Sequence, residues 1–129
     1  MQSRIRLWAI HGAAFFIAMT AGCASAPGRL LAPKIVSGLE LAPYATIEEC
    51  VELEAGERIA YRFEARQPVA FNLHFHDGNA VIMPVSSDGT TSESGDFTAD
   101  RKEVYCLMWE AGAEGSILDY RVSPWPRQP

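Results

Sequence analysis

Hydrophobic and polar residues alternate along short segments of this chain. The clearest case is Arg58 to Ala65, in which Ile59, Tyr61 and Phe63 fall on one side and the intervening polar residues on the other. The same alternation recurs in Val69 to His76. A period of two over four to eight residues is typical of a strand with one buried face, so these segments predict β-strands.

Turn signals separate the alternating segments. Gln67-Pro68 predicts a turn, Asp77-Gly78 predicts a hairpin, and Ser86 to Gly95 predicts a polar loop. No segment after residue 22 has a convincing helical period. About seven or eight short strands with one buried face each pack most simply as two antiparallel sheets, so the sequence predicts an all-β sandwich over residues 44–123. The predicted strands cover 46–53, 58–65, 69–76, 80–85, 96–99, 103–110 and 116–123.

The first 22 residues have a different pattern. Arg4 and Arg6 precede Leu7 to Met19, an apolar run without charge. This run is about 13 residues long, against about 20 needed to cross a bilayer. Residues 1–22 are therefore predicted to be a signal peptide rather than a permanent membrane helix.

The run Met19-Thr20-Ala21-Gly22-Cys23 resembles the lipobox of bacterial lipoproteins, with Thr20 where that family usually has Leu. The resemblance implies cleavage before Cys23 and a lipid on its sulfur. Ala24, by the same resemblance, points to the outer membrane, with the domain facing the periplasm. The alternative is ordinary secretion with cleavage near residues 24–26 and an incidental cysteine.

Two further segments are predicted to lie outside the sandwich. Residues 23–43, which begin with small residues and proline, are expected to be the lipidated cysteine and a flexible tether. Residues 124–129 form a proline-rich C-terminal tail that cannot continue a regularly paired strand.

Charge narrows the classes of partner. After residues 1–22, nine basic residues face sixteen acidic ones, a formal net charge of −7. An acidic envelope domain is a poor candidate for binding nucleic acid or anionic headgroups. We therefore expect no nucleic-acid partner.

The remaining cysteines form an even pair. With Cys23 assigned to lipid, Cys50 and Cys106 are left in an oxidising compartment, which predicts a disulfide. The alternative, a metal or redox pair, lacks the usual C-x-x-C spacing. Alternation places the bridge on an outer face, opposite the larger apolar residues of both strands.

Residues 45–122 resemble the GOLD domain, a β-sandwich of Golgi trafficking receptors. The resemblance depends on Cys50, on Gly95-Asp96-Phe97 and on Tyr105-Cys106-Leu107-Met108-Trp109. The chain has Phe75-His76-Asp77-Gly78-Asn79 where the family commonly has Asp-Pro-x-Gly. The resemblance implies the fold, pairing of the early and late cysteines, and a general role in protein contact; the chain also resembles bacterial envelope proteins.

His74-x-His76 is the one concentrated chemical signal. Alternation places both imidazoles on one face of a strand, where they could share a copper or zinc ion with a third ligand such as Asp77, Asp96, Met83 or Met108. The plainer interpretation is that both histidines lie on a solvated face. Metal binding through His74, His76 and Asp77 is therefore an alternative function, and no cofactor is otherwise expected.

Catalytic patterns are weak in this sequence. Its serines lack a nucleophile-elbow context, and Glu48 and Glu49 are predicted to point to opposite faces of one strand, which does not suit joint acid–base catalysis.

Among the aromatic residues, Trp125, which lies between two prolines, is the candidate for contact with a partner. The sequence thus predicts a lipid-anchored, non-catalytic interaction or assembly module whose partner is another envelope protein.

Overall fold

The computed structural model describes residues 27–125, so the signal segment, Cys23 and residues 126–129 lie outside the described part. No helix among the described residues is long and apolar enough to cross a membrane. The described residues form six strands: β1 (Lys34–Leu41), β2 (Thr46–Leu53), β3 (Arg58–Asp77), β4 (Ala80–Thr98), β5 (Glu103–Ala111) and β6 (Ser116–Pro124).

All strand pairs are antiparallel and belong to one sheet, in the order β1-β6-β3-β5-β2, with β4 paired to β3. The 20-residue β3 organises this sheet. Its first half, Ile59–Ala65, pairs with β6, and its second half, Val69–His74, pairs with β5. Because β6 and β5 follow one another along β3, the sheet curls and encloses a single hydrophobic core.

The all-β antiparallel class is confirmed, and the division into two separate sheets stays a prediction. The expected turn at Gln67-Pro68 is wrong, because β3 runs through it. Pro68 has no N–H to donate, but it falls where the ladder with β4 shifts register, between Glu64 and Val69. An irregularity of this kind accommodates proline within a strand.

The expected polar loop at Ser86–Gly95 is also wrong, because these residues belong to β4. The pairing with β3 shifts between Thr90 and Ser87, and Gly89 there has a φ of +64°. The glycine permits this local bend. The segment is polar because most of its side chains are exposed or half-buried on a strand paired only with β3 among the described residues. These two mergers reduce the seven predicted strand segments to five, and β1, which was not predicted, brings the number to six.

The predicted tether over residues 23–43 is wrong for β1. Lys34–Leu41 pairs with β6, and Leu41 is buried in the core. Val36 and Leu39 pack against the same core. Burial of these apolar side chains gives the segment a stable place at the sheet edge, so the folded domain begins before residue 44.

Aromatic rings fill the centre of the core. Phe71 on β3 lies between Tyr61 and Trp109, with ring centroids 5.2 and 5.5 Å away. Phe63 approaches Trp109 edge-on at 5.9 Å. These rings are the inward residues that the alternation predicts, and they hold the two halves of the curled sheet together.

Candidate functional site

The outward face of β2, β5 and the second half of β3 brings the chemically distinctive side chains together. Strand register aligns Cys50 with Cys106 and Cys106 with His74. The predicted disulfide between Cys50 and Cys106 is present, with an S–S distance of 2.03 Å and Cα atoms 4.0 Å apart. The bridge and His74 thus form a row across three neighbouring strands, which we call the cysteine–histidine row.

His74 is held in a defined orientation. Its side chain is buried although it lies on the outward face, with 5% of the residue exposed. Its Nδ1 lies 2.8 Å from Oδ1 of Asn72, which is also buried. Since an amide oxygen only accepts hydrogen bonds, Nδ1 is the donor in this contact, which leaves Nε2 as the ring nitrogen available to another partner. That nitrogen lies 3.7 Å from Oε1 of Glu48.

Glu48 is the residue of this site that the sequence did not identify. One of its carboxylate oxygens and both sulfurs of the disulfide lie within 4.8 Å of one another. Alternation along β2 places Glu48 on the same face as Cys50, and this pattern is the one feature of the sequence that could have indicated its position near the bridge. Its approach to His74 depends on the pairing of β2 with β5 and of β5 with β3, which the sequence does not specify.

Of the three expected metal ligands, His74, His76 and Asp77, only the two histidines lie together. The rings of His74 and His76 lie close, with centroids 5.4 Å apart and planes at 80°. Asp77 accepts a hydrogen bond from Arg101 at 3.2 Å and lies on the opposite side of the strand by alternation. Within residues 27–125, the compact group of metal-ligating atoms contains Glu48 and the two cysteines instead.

A second surface lies on β4, at the edge of the curled sheet. Val81, Ile82 and Met83 are 46%, 40% and 51% exposed. They are consecutive, and β4 pairs with β3 alone in the part of the chain that the structure describes. An open edge with adjacent exposed apolar side chains is a site at which another chain can add. We call residues Ala80–Met83 the β4 edge.

Trp125 lies at one end of the sheet. The residue is 42% exposed, and the Arg58 guanidinium lies 3.8 Å from the centroid of its ring. Its backbone N–H donates to the Arg58 carbonyl at 2.9 Å. The ring borders a groove of about 850 Å³ that Leu31 and Leu53 also line. The ring is therefore accessible from outside and is fixed by Arg58, and its contact with a partner stays a prediction.

Two tyrosines have their ionisation shifted by burial. Burial raises the pKa of Tyr61 to about 12, and the neighbouring Glu93 carboxylate adds to this effect. Burial, with a hydrogen bond from Tyr120 to Glu49 at 3.0 Å, also raises the pKa of Tyr120. The phenol hydroxyls donate to Glu93 and Glu49, which are not part of the cysteine–histidine row, so these shifts concern stability.

Comparison with solved structures shows a shared fold. The chain is similar to PliG of Aeromonas hydrophila, a periplasmic lysozyme inhibitor of g-type lysozyme, with a TM-score of 0.56 at 15% identity, over 77% of this chain and 96% of that one. It is also similar to the Yersinia pseudotuberculosis-derived mitogen, with a TM-score of 0.54 at 8% identity, over 75% of this chain and 91% of that one. No family model and no curated protein sequence matches the chain. At these identities the likeness concerns the fold alone.

Proposed function

We propose that this chain is a lipid-anchored, non-catalytic protein-binding module of the cell envelope. The anchor in this proposal is Cys23, supported by the arginine-flanked apolar run and the lipobox-like segment that precede it. The two halves of the curled sheet serve as the layers of a sandwich. The relation to the GOLD domain is part of the same proposal, supported by the bridge between an early and a late cysteine.

The observation that supports protein binding most directly is the β4 edge. Val81, Ile82 and Met83 expose apolar surface on a strand whose outer side has no partner within residues 27–125. Such an edge binds an extended segment of another protein, because main-chain hydrogen bonds extend the sheet while side-chain contacts select the partner. We therefore propose an extended segment of an envelope protein as the occupant.

Charge indicates which partners suit this surface. The net charge of −7 after residues 1–22 favours the approach of a basic protein. The similar fold of the A. hydrophila inhibitor of g-type lysozyme supports a role in protein contact. We therefore expect the envelope protein that supplies the extended segment to be basic.

The test is photo-crosslinking in intact cells. A photoreactive residue at Val81 should capture one specific envelope protein, whereas the same residue at Ile35 should not. Ile35 is the matched control because it is also apolar and 62% exposed, but lies on β1. The double variant Val81→Glu/Met83→Glu, with the photoreactive residue moved to another position of the chain, should no longer capture the partner. Equal capture from Val81 and Ile35, or capture unaffected by the two glutamates, would refute the β4 edge as the binding surface.

A second candidate function is copper or zinc binding through His74 and His76. The proximity of their rings supports it, as does the hydrogen bond of His74 Nδ1 to Asn72, which leaves Nε2 for a metal ion. Calorimetry with Cu²⁺ and Zn²⁺ on the oxidised protein should show binding that His76→Ala abolishes. Asp77→Asn should have little effect, because Asp77 faces Arg101. The absence of binding to the oxidised protein would eliminate this candidate.

A further inference from the structure

We infer that the cysteine–histidine row contains a thiol-dependent zinc site. When the disulfide is reduced, the thiolates of Cys50 and Cys106, one carboxylate oxygen of Glu48 and Nε2 of His74 bind one Zn²⁺. This site goes beyond the proposed protein-binding function, and it differs from a metal site made by His74 and His76 on the oxidised protein, with which it shares only His74.

The positions of the four ligand atoms support this assignment. Two sulfurs and a carboxylate oxygen lie within 4.8 Å of one another, and His74 Nε2 lies 3.7 Å from that glutamate's Oε1. Around a tetrahedral zinc with bonds of about 2.0–2.3 Å, ligand atoms lie roughly 3.3–3.8 Å apart. The two sulfurs, 2.03 Å apart in the disulfide, are too close for two zinc ligands, and His74 adjoins the compact group through Glu48 without being part of it. Reduction frees both sulfurs, and the inferred site requires the thiolates to turn towards Glu48 and His74.

The environment of His74 is already that of a zinc ligand. Zinc-bound histidines usually donate their other ring nitrogen to an oxygen acceptor, which fixes the tautomer and the direction of the lone pair. Asn72 provides this acceptor at 2.8 Å, and both residues are buried. Asn72 is therefore a positioning residue for the site, and its contact exists before any metal binds.

The Cys50–Cys106 bridge is reduced by thiol–disulfide exchange. A dithiol reductant attacks one sulfur of the bridge, leaves as its own disulfide, and transfers two electrons and two protons to give two thiols. Each thiol loses its proton when it binds Zn²⁺, so binding releases two protons. Zinc neither gains nor loses electrons in this cycle. Exchange with the disulfide form of the same dithiol takes the two electrons back, re-forms the Cys50–Cys106 bridge and removes both thiolate ligands, which releases the ion. Metal occupancy thus follows the thiol state of the envelope.

Zinc titration of the full chain carrying Cys23→Ser is the test, because Cys50 and Cys106 are then its only cysteines. With a phosphine reductant present, competition against a chromophoric chelator should show one Zn²⁺ bound per chain. The oxidised chain should bind at least 100-fold more weakly. Co²⁺ in place of zinc should give the absorption bands of tetrahedral thiolate coordination with the reduced chain only.

Variants separate this site from simpler explanations. His74→Ala should weaken zinc binding by the reduced chain at least tenfold, and Asn72→Ala should weaken it about 10- to 100-fold. His76→Ala is the matched control, since its ring lies next to His74 but is not a ligand; it should leave binding unchanged. Glu48→Gln tests the fourth ligand and should also weaken binding, while Cys50→Ser with Cys106→Ser should abolish it.

Several results would overturn the inference. Equal zinc affinity of oxidised and reduced chains would show that the thiols are not ligands. Unchanged affinity in reduced His74→Ala would show that two thiols of a loosened chain account for the binding. Circular dichroism on the same samples reports whether the reduced chain keeps its strands, and a reduced chain that binds no zinc refutes the site whether or not it stays folded.

Discussion

The ring of Trp109 on β5 stacks on the ring of Tyr120 on β6, with centroids 4.6 Å apart and planes inclined by 24°. These strands are not neighbours in the sheet, because β3 lies between them. The contact therefore exists only because the sheet curls and brings the inward faces of β5 and β6 together. Trp109 is fully buried and also contacts Phe63 and Phe71.

This position predicts a large cost for substitution of Trp109. Trp109→Ala should lower the free energy of unfolding by about 3–5 kcal/mol, because it removes apolar contacts and leaves a cavity. Urea unfolding followed by circular dichroism measures the change. Trp125→Ala is the control and should cost about 1 kcal/mol or less, since Trp125 is partly exposed and loses mainly its contact with Arg58. Similar costs for both variants would contradict the core assignment.

The disulfide should be complete in protein taken from the envelope. Alkylation of the unfolded chain should modify Cys50 and Cys106 only after reduction. Replacing both with serine should lower the free energy of unfolding by about 2–5 kcal/mol, because the bridge joins positions 56 residues apart. Two alkylated thiols without reduction, in chains of the native envelope, would show that the bridge does not form there.

Alkaline pH should destabilise the protein through Tyr61. The pKa of its phenol is raised to about 12 in the folded chain, first by burial and then by Glu93, against about 10 in the unfolded chain. The folded state holds this proton more tightly, so its stabilising effect is complete below about pH 10 and is lost as the pH rises towards 12.

Tyr61→Phe should therefore make the free energy of unfolding fall less steeply between about pH 10 and 12. Urea unfolding at stepped pH measures the slope. Tyr44→Phe, at a 69% exposed position, should leave the slope as in the unsubstituted chain. Equal slopes in the Tyr61 variant and the unsubstituted chain would show that this phenol titrates alike in both states.

Gly115 should tolerate alanine less well than Gly78. Both have positive φ, at +68° and +62°. A Cβ on Gly115 would lie 2.5 Å from the Leu41 carbonyl oxygen, whereas a Cβ on Gly78 meets no heavy atom within 4 Å. Gly78→Ala should cost about 1–2 kcal/mol from backbone conformation alone. Thermal unfolding should show a larger loss for Gly115→Ala, and the reverse order would contradict the close approach of β1 to this turn.

The lipid anchor is testable apart from the fold. Metabolic labelling with palmitate should mark the chain, and Cys23→Ser should abolish the label and release the protein from the membrane fraction. Cys50→Ser is the matched control and should remain labelled, because that sulfur belongs to the disulfide. An unlabelled, soluble mature protein in wild-type cells would refute the anchor.

Local patterning accounts for much of the fold. Alternation from Arg58 to His76 identified the buried rings of Tyr61, Phe63 and Phe71, because residues two apart share one face of a strand. It also placed both cysteines on outward faces, and their even number predicted the bridge. It failed at Pro68 and at Ser86–Gly95, because turn-forming residues also occur at bulges and on exposed edge strands, where the partner strand compensates for them.

The sequence by itself determined the all-β class, the inward residues and the cysteine pair, since these depend on residue type, count and spacing of two. The tertiary structure alone decided that β3 and β4 run unbroken, that β1 joins the sheet, and that Glu48 approaches His74. Such features depend on strand register, which is fixed by contacts between residues far apart in the chain. The cysteine–histidine row comes from three strands in this way, so no local pattern could have assembled it.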